Sequence, residues 1–396
     1  MSIKKEKVKM KQEIYLDNAA TTPVIPEVVE QVAKCLAEDF GNPSSLHRLG
    51  VNSEKRLKEQ RRIIASLLKV DDNDIIFTSG GTESNNLAIF GTVRGKKRYG
   101  NHLITTAIEH PSILNVFEHL EEEGWRVTYL PVDRYGIIKM EELEKALTEE
   151  TILVSIMHVN NEIGSIQPVE SIKRLINQKA PQALFHIDAV QSFGKLDIRP
   201  MEWGVDLLSI SGHKIHAPKG IGALYIRKGV SITPMQWGGG QERGIRSGTE
   251  NLPGIIGLGE ATRWISKKAE KEPGYLRKLK DILVSGILEQ VPEAIINGPK
   301  PEDGAPHILN ISIPGIRGEV LLHVLESNGV YVSTGSACSS RKARISHVLE
   351  AIGTSRDIAE GAIRLSLSYI NNEDEMRLVP GILRKSIDQV KRFTRR

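Results

Sequence analysis

The sequence predicts an α/β protein built on a largely parallel sheet, and three observations carry that prediction. Short apolar runs alternate with longer amphipathic ones, turn residues fall at the junctions, and polar residues cluster just beyond the apolar runs. At 396 residues the chain exceeds one compact core and fits two domains. With 40% hydrophobic and 26% charged residues, 35 Gly and 18 Pro, its composition is that of a globular protein, which excludes disordered, collagen-like and coiled-coil classes. Lys and Arg number 53 against 49 acids, a formal charge of +4. So small an excess gives no ground for direct binding of nucleic acid. No run approaches the roughly 18 apolar residues of a membrane helix, and residues 1–7 lack the apolar stretch of a secretory signal, so no membrane contact and a cytoplasmic location are expected. The two cysteines, Cys35 and Cys338, exclude a disulfide framework and a four-thiolate metal site. Any cysteine chemistry is that of a single thiol.

A basic extension over residues 1–13 is expected to be flexible. It precedes a large domain over 14–252, whose first residues are free to pack on a smaller α+β domain over 253–396, with the boundary near Pro253. Strands are predicted over 74–78, 102–105, 152–157, 183–187 and 206–210, and helices over 111–123 and 169–180. From 252 to 290 the Lys- and Glu-rich pattern reads as one long helix, leading into a mixed region of strands and helices.

In open α/β sheets ligands bind beyond the carboxyl ends of the strands, and four predicted strand ends stand out. The first runs into Ser79-Gly80-Gly81-Thr82, a two-glycine turn opening a helix. Helix amides joined by the Thr82 and Ser79 hydroxyls would cup a phosphate there, although such a turn alone equally suits a plain helix cap. The second end carries Asn160, Asn161 and Glu162, and the third closes on Asp188. An acid finishing an apolar strand needs a positive partner unless it caps a helix. The fourth sets Lys214 two residues past Gly212, with Ser211 and His213 beside it, where desolvation would favour a neutral, nucleophilic amine. Lys219, in a Pro-Lys-Gly turn, reads as solvent-facing. Amine, phosphate cup and strand-end acid together match what pyridoxal 5'-phosphate demands of a protein.

With that conjunction the chain resembles the cysteine desulfurases, among the class V aminotransferase-like, fold-type I pyridoxal phosphate enzymes. The matching segments span nearly the whole chain: residues 15–23, 41–45, 78–86, 158–164, 211–222 and 238–249. The resemblance implies a homodimer and a mostly parallel seven-stranded sheet in the large domain. It makes Lys214 the lysine that carries the cofactor, Asp188 the partner of the pyridine nitrogen and Gln191 the neighbour of the ring's phenolic oxygen. Asn161 becomes a cofactor or substrate contact. Gly81, Thr82, Ser211 and His213 would hold the phosphate, and Thr249 would reach the phosphate of the other subunit. His110, which alone would read as a structural histidine, sits where the family stacks an imidazole on the cofactor and uses it in proton transfer.

Cys338 lies in a run of small residues, 332–340, that suits an exposed loop rather than a core. The resemblance makes it the persulfide carrier, whereas Cys35, on an amphipathic stretch, reads as a buried hydrophobe. Arg364 matches the arginine that clamps the substrate carboxylate, for which a guanidinium is the natural fork. The implied reaction converts L-cysteine to L-alanine and leaves a persulfide on Cys338, with Arg341, Lys342 and Arg344 favouring the thiolate. A selenocysteine lyase, or another class V lyase or aminotransferase, is the rival reading and needs no nucleophilic cysteine. No intrinsic metal is expected, only a transient iron–sulfur contact of Cys338 with a scaffold. The basic run after Cys338 and the end of the chain at Arg396 depart from the housekeeping members. A tRNA-thiolating enzyme therefore stands beside an iron–sulfur scaffold as the expected sulfur-acceptor protein.

Overall fold

The computed structural model describes residues 13–334 and 345–394. Cys338 and, apart from Glu13, the basic extension lie outside the described residues. The chain opens with strand β1 (Ile14–Tyr15) and helices α1 (Pro26–Glu38) and α2 (Arg48–Leu68). Strands and helices then alternate: β2 (Ile75–Thr78), α3 (Gly81–Lys96), β3 (His102–Thr106), α4 (Pro111–Glu122), β4 (Arg126–Leu130), α5 (Met140–Ala146), β5 (Thr151–Met157) and α6 (Val169–Lys179). β6 (Leu184–Asp188), α7 (Pro200–Trp203), β7 (Leu207–Ser211) and β8 (Gly222–Ile226) complete this part.

Seven of these strands form one sheet in the order β2-β8-β7-β6-β5-β3-β4. The neighbours from β7 to β4 run parallel, and β8 alone is antiparallel to both its partners. The expected mostly parallel seven-stranded sheet is therefore present. β5, β6 and β7 are buried at every position, which is why they read as continuous apolar runs instead of alternating ones. One face of the sheet, through Val154, Phe185, Ile187 and Leu208, packs on α1, α2 and α6. The other, through Leu103, Leu153, Leu207 and Leu224, packs on Leu87 and Ile89 of α3 and Phe117 and Leu120 of α4. Cys35 is 1% exposed within the first of these layers, as expected.

The stretch 252–290, expected as one helix, is two: α8 (Leu252–Lys271) and α9 (Tyr275–Gln290). The break falls at Glu272-Pro273-Gly274, where Pro273 has no N–H to donate and Gly274 takes a φ of +78°. The two helices join different cores. Ile255, Ile256, Leu258, Ala261 and Ile265 of α8 belong to the core of the large sheet. The second core begins with Leu276, Leu279, Leu283 and Ile287 of α9. Those side chains meet β9 (Ile295–Ile296), β10 (Ile308–Ser312), α10 (Gly318–Ser327), β11 (Val330–Tyr331), β12 (Ala362–Ser366) and α13 (Glu373–Thr394), while α11 (His347–Ala351) and α12 (Arg356–Ala359) return to the first core. β12, β10 and β9 make an antiparallel sheet, and β1 joins β11 in parallel, so the start of the chain packs on the smaller body.

Candidate active site

The carboxyl ends of β5, β6 and β7, the start of α3, Ala19, Ala20 and Arg364 enclose a cavity of about 260 Å³. Ten of the sequence-predicted residues line it: Gly81, Thr82, His110, Asn161, Asp188, Gln191, Ser211, His213, Lys214 and Arg364. Thr249 does not, and it is exposed.

β7 runs directly into a one-turn helix, Gly212–Lys214. The Lys214 Nζ donates to the carbonyls of Ala19 and Ala20, each at 2.7 Å. A strap over residues 17–22 presents those carbonyls and is itself latched to the lysine turn. The amide and the hydroxyl of Thr22 both donate to the His213 carbonyl, at 2.9 and 3.0 Å. Gln191 Nε2 donates to the Ala19 carbonyl at 2.9 Å, leaving its Oε1 buried without a partner.

Asp188, the last residue of β6, is 5% exposed. Its Oδ1 accepts from the Val190 amide and its Oδ2 from Asn85 Nδ2, both at 2.9 Å. Asn85 also donates to Ser112 Oγ at 2.9 Å, and that hydroxyl lies 2.8 Å from His110 Nδ1. A polar chain thus joins Asp188 to His110, through Asn85 and Ser112, to which the sequence reading gave no role. His110 caps α4, its Nδ1 accepting from the Ser112 amide at 3.1 Å, so the neutral ring carries its proton on Nε2. Burial lowers its pKa, and Lys214 and His347 add to this against the pull of Asp188. Beside it, burial pushes the Glu109 carboxyl up to about 8; its Oε1 accepts from Thr106 Oγ1 at 2.7 Å and the Met157 amide at 2.9 Å. Glu109 is another residue that the sequence did not single out, because its partner Met157 lies 48 residues away at the end of β5.

The end of the cavity where the sequence expects a phosphate is lined largely by backbone. α3 starts behind Gly80 with no side-chain cap, so its first amides are open to an anion. A Cβ on Gly81 would lie 2.8 Å from Val190 Cγ2, so only glycine lets the helix start come this close to the β6 loop. Ser211 Oγ is buried there without a partner. His213 is held near 4, first by burial and then by Lys214, so it acts as a neutral hydrogen-bonding group. Ser79, expected to help cup the phosphate, does not reach the cavity: its side chain is exposed and its amide donates to Glu83 Oε2 at 2.8 Å. The unpartnered Ser211 and Gln191 oxygens, the uncapped helix, an amine and a strand-end carboxylate fit pyridoxal 5'-phosphate.

Arg364, on β12, enters the cavity from the smaller body. Its Nη2 donates to Asp17 Oδ1 and its Nη1 to the carbonyl of Asn161, both at 2.8 Å. Asn161 thus meets Arg364 through its backbone. Arg364 and Ser333 exchange backbone hydrogen bonds at 2.6 and 3.1 Å. The chain leading toward Cys338 therefore departs beside Arg364.

Residues 14–379 match the aminotransferase class-V family. The cysteine desulfurase IscS of Clostridium botulinum (strain Hall) is 45% identical over 381 residues, 96% of each chain. That of Methanosarcina thermophila is 45% identical over 376 residues, covering 94% of this chain and 92% of the relative. A solved NifS-like protein superposes with a TM-score of 0.89 at 40% identity, over 95% of this chain and 100% of its own. Extending over nearly every residue that builds both bodies and the cavity between them, these similarities mean that the chain belongs to the class-V aminotransferase family, in its pyridoxal phosphate-dependent cysteine desulfurase branch.

Proposed function

We propose that this enzyme moves the sulfur of L-cysteine onto the thiol of Cys338 and releases L-alanine. The observation that carries the reading is the meeting of Lys214, Asp188, His110 and Arg364 in one cavity, with the backbone of Arg364 hydrogen-bonded to Ser333. Bound there, pyridoxal 5'-phosphate supplies an aldehyde that captures amines and a ring that withdraws electrons from the substrate α-carbon. Asp188, oriented by Asn85 and Val190, keeps a proton on the ring nitrogen. The amides of Gly81 and Thr82 and the Ser211 hydroxyl bind the phosphate. Arg364 holds the substrate carboxylate, and the Lys214 amine moves the α-proton. His110 serves proton transfer through Nε2.

The Cys338 thiolate attacks the substrate sulfur, forming an S–S bond as the Cβ–S bond breaks. The pair from that bond stays on carbon, which takes a proton. Cysteine plus enzyme thiol thus become alanine plus enzyme persulfide, with sulfur oxidised and carbon reduced by the same two electrons. No outside oxidant is needed.

The acceptor and the assembly belong to the same proposal. The acceptor we favour is iron–sulfur cluster assembly, with a tRNA-thiolating enzyme as the second; the relatives named cysteine desulfurase support sulfur transfer to such a protein. A homodimer is supported by exposed apolar side chains on one chain, Phe40 at 73% and Trp237 at 77%, and would bring the partner subunit's Thr249 to the phosphate. No helix among the described residues is long and apolar enough to cross a membrane; a reducing cytoplasm would suit a free thiol carrier. Cys338→Ala is the test. It should abolish sulfur release from L-cysteine, and retained release would refute the persulfide route. Labelled cysteine supplied with each acceptor would then identify the destination.

A further inference from the structure

Arg364 is already engaged on two sides. Its side chain is 4% exposed, Asp17 takes one Nη2 hydrogen and the Asn161 carbonyl one Nη1 hydrogen. Of the five N–H groups of a guanidinium, three remain, and Nε lies buried with no partner. A planar acceptor with two oxygens, reaching Nε and an adjacent terminal nitrogen, is the shape that satisfies this edge.

The backbone that carries Asp17 is held from several sides. Residue 17 bridges Ser366 in parallel, and the next two residues are bonded to the same serine: Asn18 Nδ2 to its carbonyl at 2.9 Å and the Ala19 amide to its Oγ at 2.8 Å. The Tyr15 hydroxyl donates to the carbonyls of Asp17 and Thr21, at 3.2 and 2.9 Å. Displacing the Asp17 backbone would therefore disturb the strap that offers Ala19 and Ala20 to Lys214, so Asp17 is held within reach of Arg364.

We infer that Asp17 is a positioning residue for Arg364: it stays bound to the guanidinium while substrate is held and fixes which edge meets the substrate carboxylate. This rests on Arg364 being the carboxylate clamp proposed above. Two carboxylates, those of Asp17 and the substrate, then share the one guanidinium. The alternative is a placeholder, in which Asp17 occupies the substrate carboxylate's position and must leave.

The two make opposite predictions for the pyridoxal phosphate-loaded enzyme, read as the dissociation constant of L-alanine from absorbance titration and as kcat and KM for L-cysteine. As an anchor, D17A raises the L-alanine constant and the KM about tenfold, the weight of one lost charge-assisted hydrogen bond, with kcat changed by no more than about threefold. D17N, which keeps an acceptor oxygen at the same place, stays within about threefold of the parent in all three values. Tighter L-alanine binding by D17A overturns the inference in favour of the placeholder, and unchanged binding overturns it outright. Should D17A fail to fold, D17S, which cannot reach Nη2, replaces it with the same expectations. R364A separates the two levels: if it keeps L-alanine affinity, the clamp itself fails, whereas loss in R364A beside an unchanged D17A removes only Asp17.

Discussion

The two ends of β7 carry their polar groups in opposite ways. At the amino end Asp206, its side chain 1% exposed, receives Lys173 Nζ at 3.1 Å, the Phe185 amide at 2.8 Å and a hydrogen bond from Arg227. Both of its oxygens are taken. At the carboxyl end Ser211 Oγ has no partner, and neither do Gln191 Oε1 and Arg364 Nε in the same cavity. Buried polar groups are normally satisfied, so a saturated cluster reads as architecture and unsatisfied atoms gathered on one cavity read as places for a ligand.

That contrast breaks if a change at the carboxyl end costs stability, or one at the amino end costs chemistry. The largest expected effect is of Lys214→Ala, which should lower L-alanine formation by about 10³-fold or more and remove the absorbance of the lysine-bound cofactor. Its denaturant midpoint should fall far less than that of Asp206→Ala, since the bonds lost to Ala19 and Ala20 end on backbone carbonyls. Asp206→Ala should do the reverse, destabilising the fold by about 3–5 kcal/mol because it strands the buried Lys173, while turnover per folded molecule is kept.

A pH series sharpens the same point. Burial holds His158 and His216 near 4 and His186 near 3, below an ordinary value of about 6.5. Between those limits the unfolded chain binds more protons than the folded one, so stability rises with pH there. It should be fully present above about pH 6.5 and decline as the pH falls toward 4, as chemical denaturation at each pH would measure. A flat profile would mean that these rings are solvated. The smallest effect is expected of Ser211→Ala, which should weaken cofactor binding about tenfold by equilibrium titration and leave the apoprotein as stable as before, because its hydroxyl has no protein partner to lose.

Features whose chemistry is local were legible in the sequence. The glycine pair before Thr82, the acid ending β6 and the lysine after Gly212 announce themselves within a few residues, and the structure brings all three to one cavity. Contacts made across the chain were not. Asp17 lies 347 residues from Arg364, Ala19 lies 195 from Lys214, and Asn85 lies 103 from Asp188. Asp17 and Asn85 both fall inside segments that carried the family resemblance, but only the tertiary fold assigns their partners, the strap bringing Asp17 to Arg364 and α3 bringing Asn85 to Asp188. The break within 252–290 was missed for a different reason. The Pro273-Gly274 pair was a readable stop signal inside a Lys- and Glu-rich stretch. By contrast, the apolar stripe of α8 says that it is buried without saying against which sheet.

The assignment of Cys338 as sulfur carrier is tested most directly by peptide mapping of the pyridoxal phosphate-loaded enzyme after a single turnover with L-cysteine under non-reducing conditions. One added sulfur on the peptide containing Cys338, matched by an equal amount of L-alanine, is the expected result. L-alanine formed with no added sulfur at Cys338, or with that sulfur on Cys35, would contradict it.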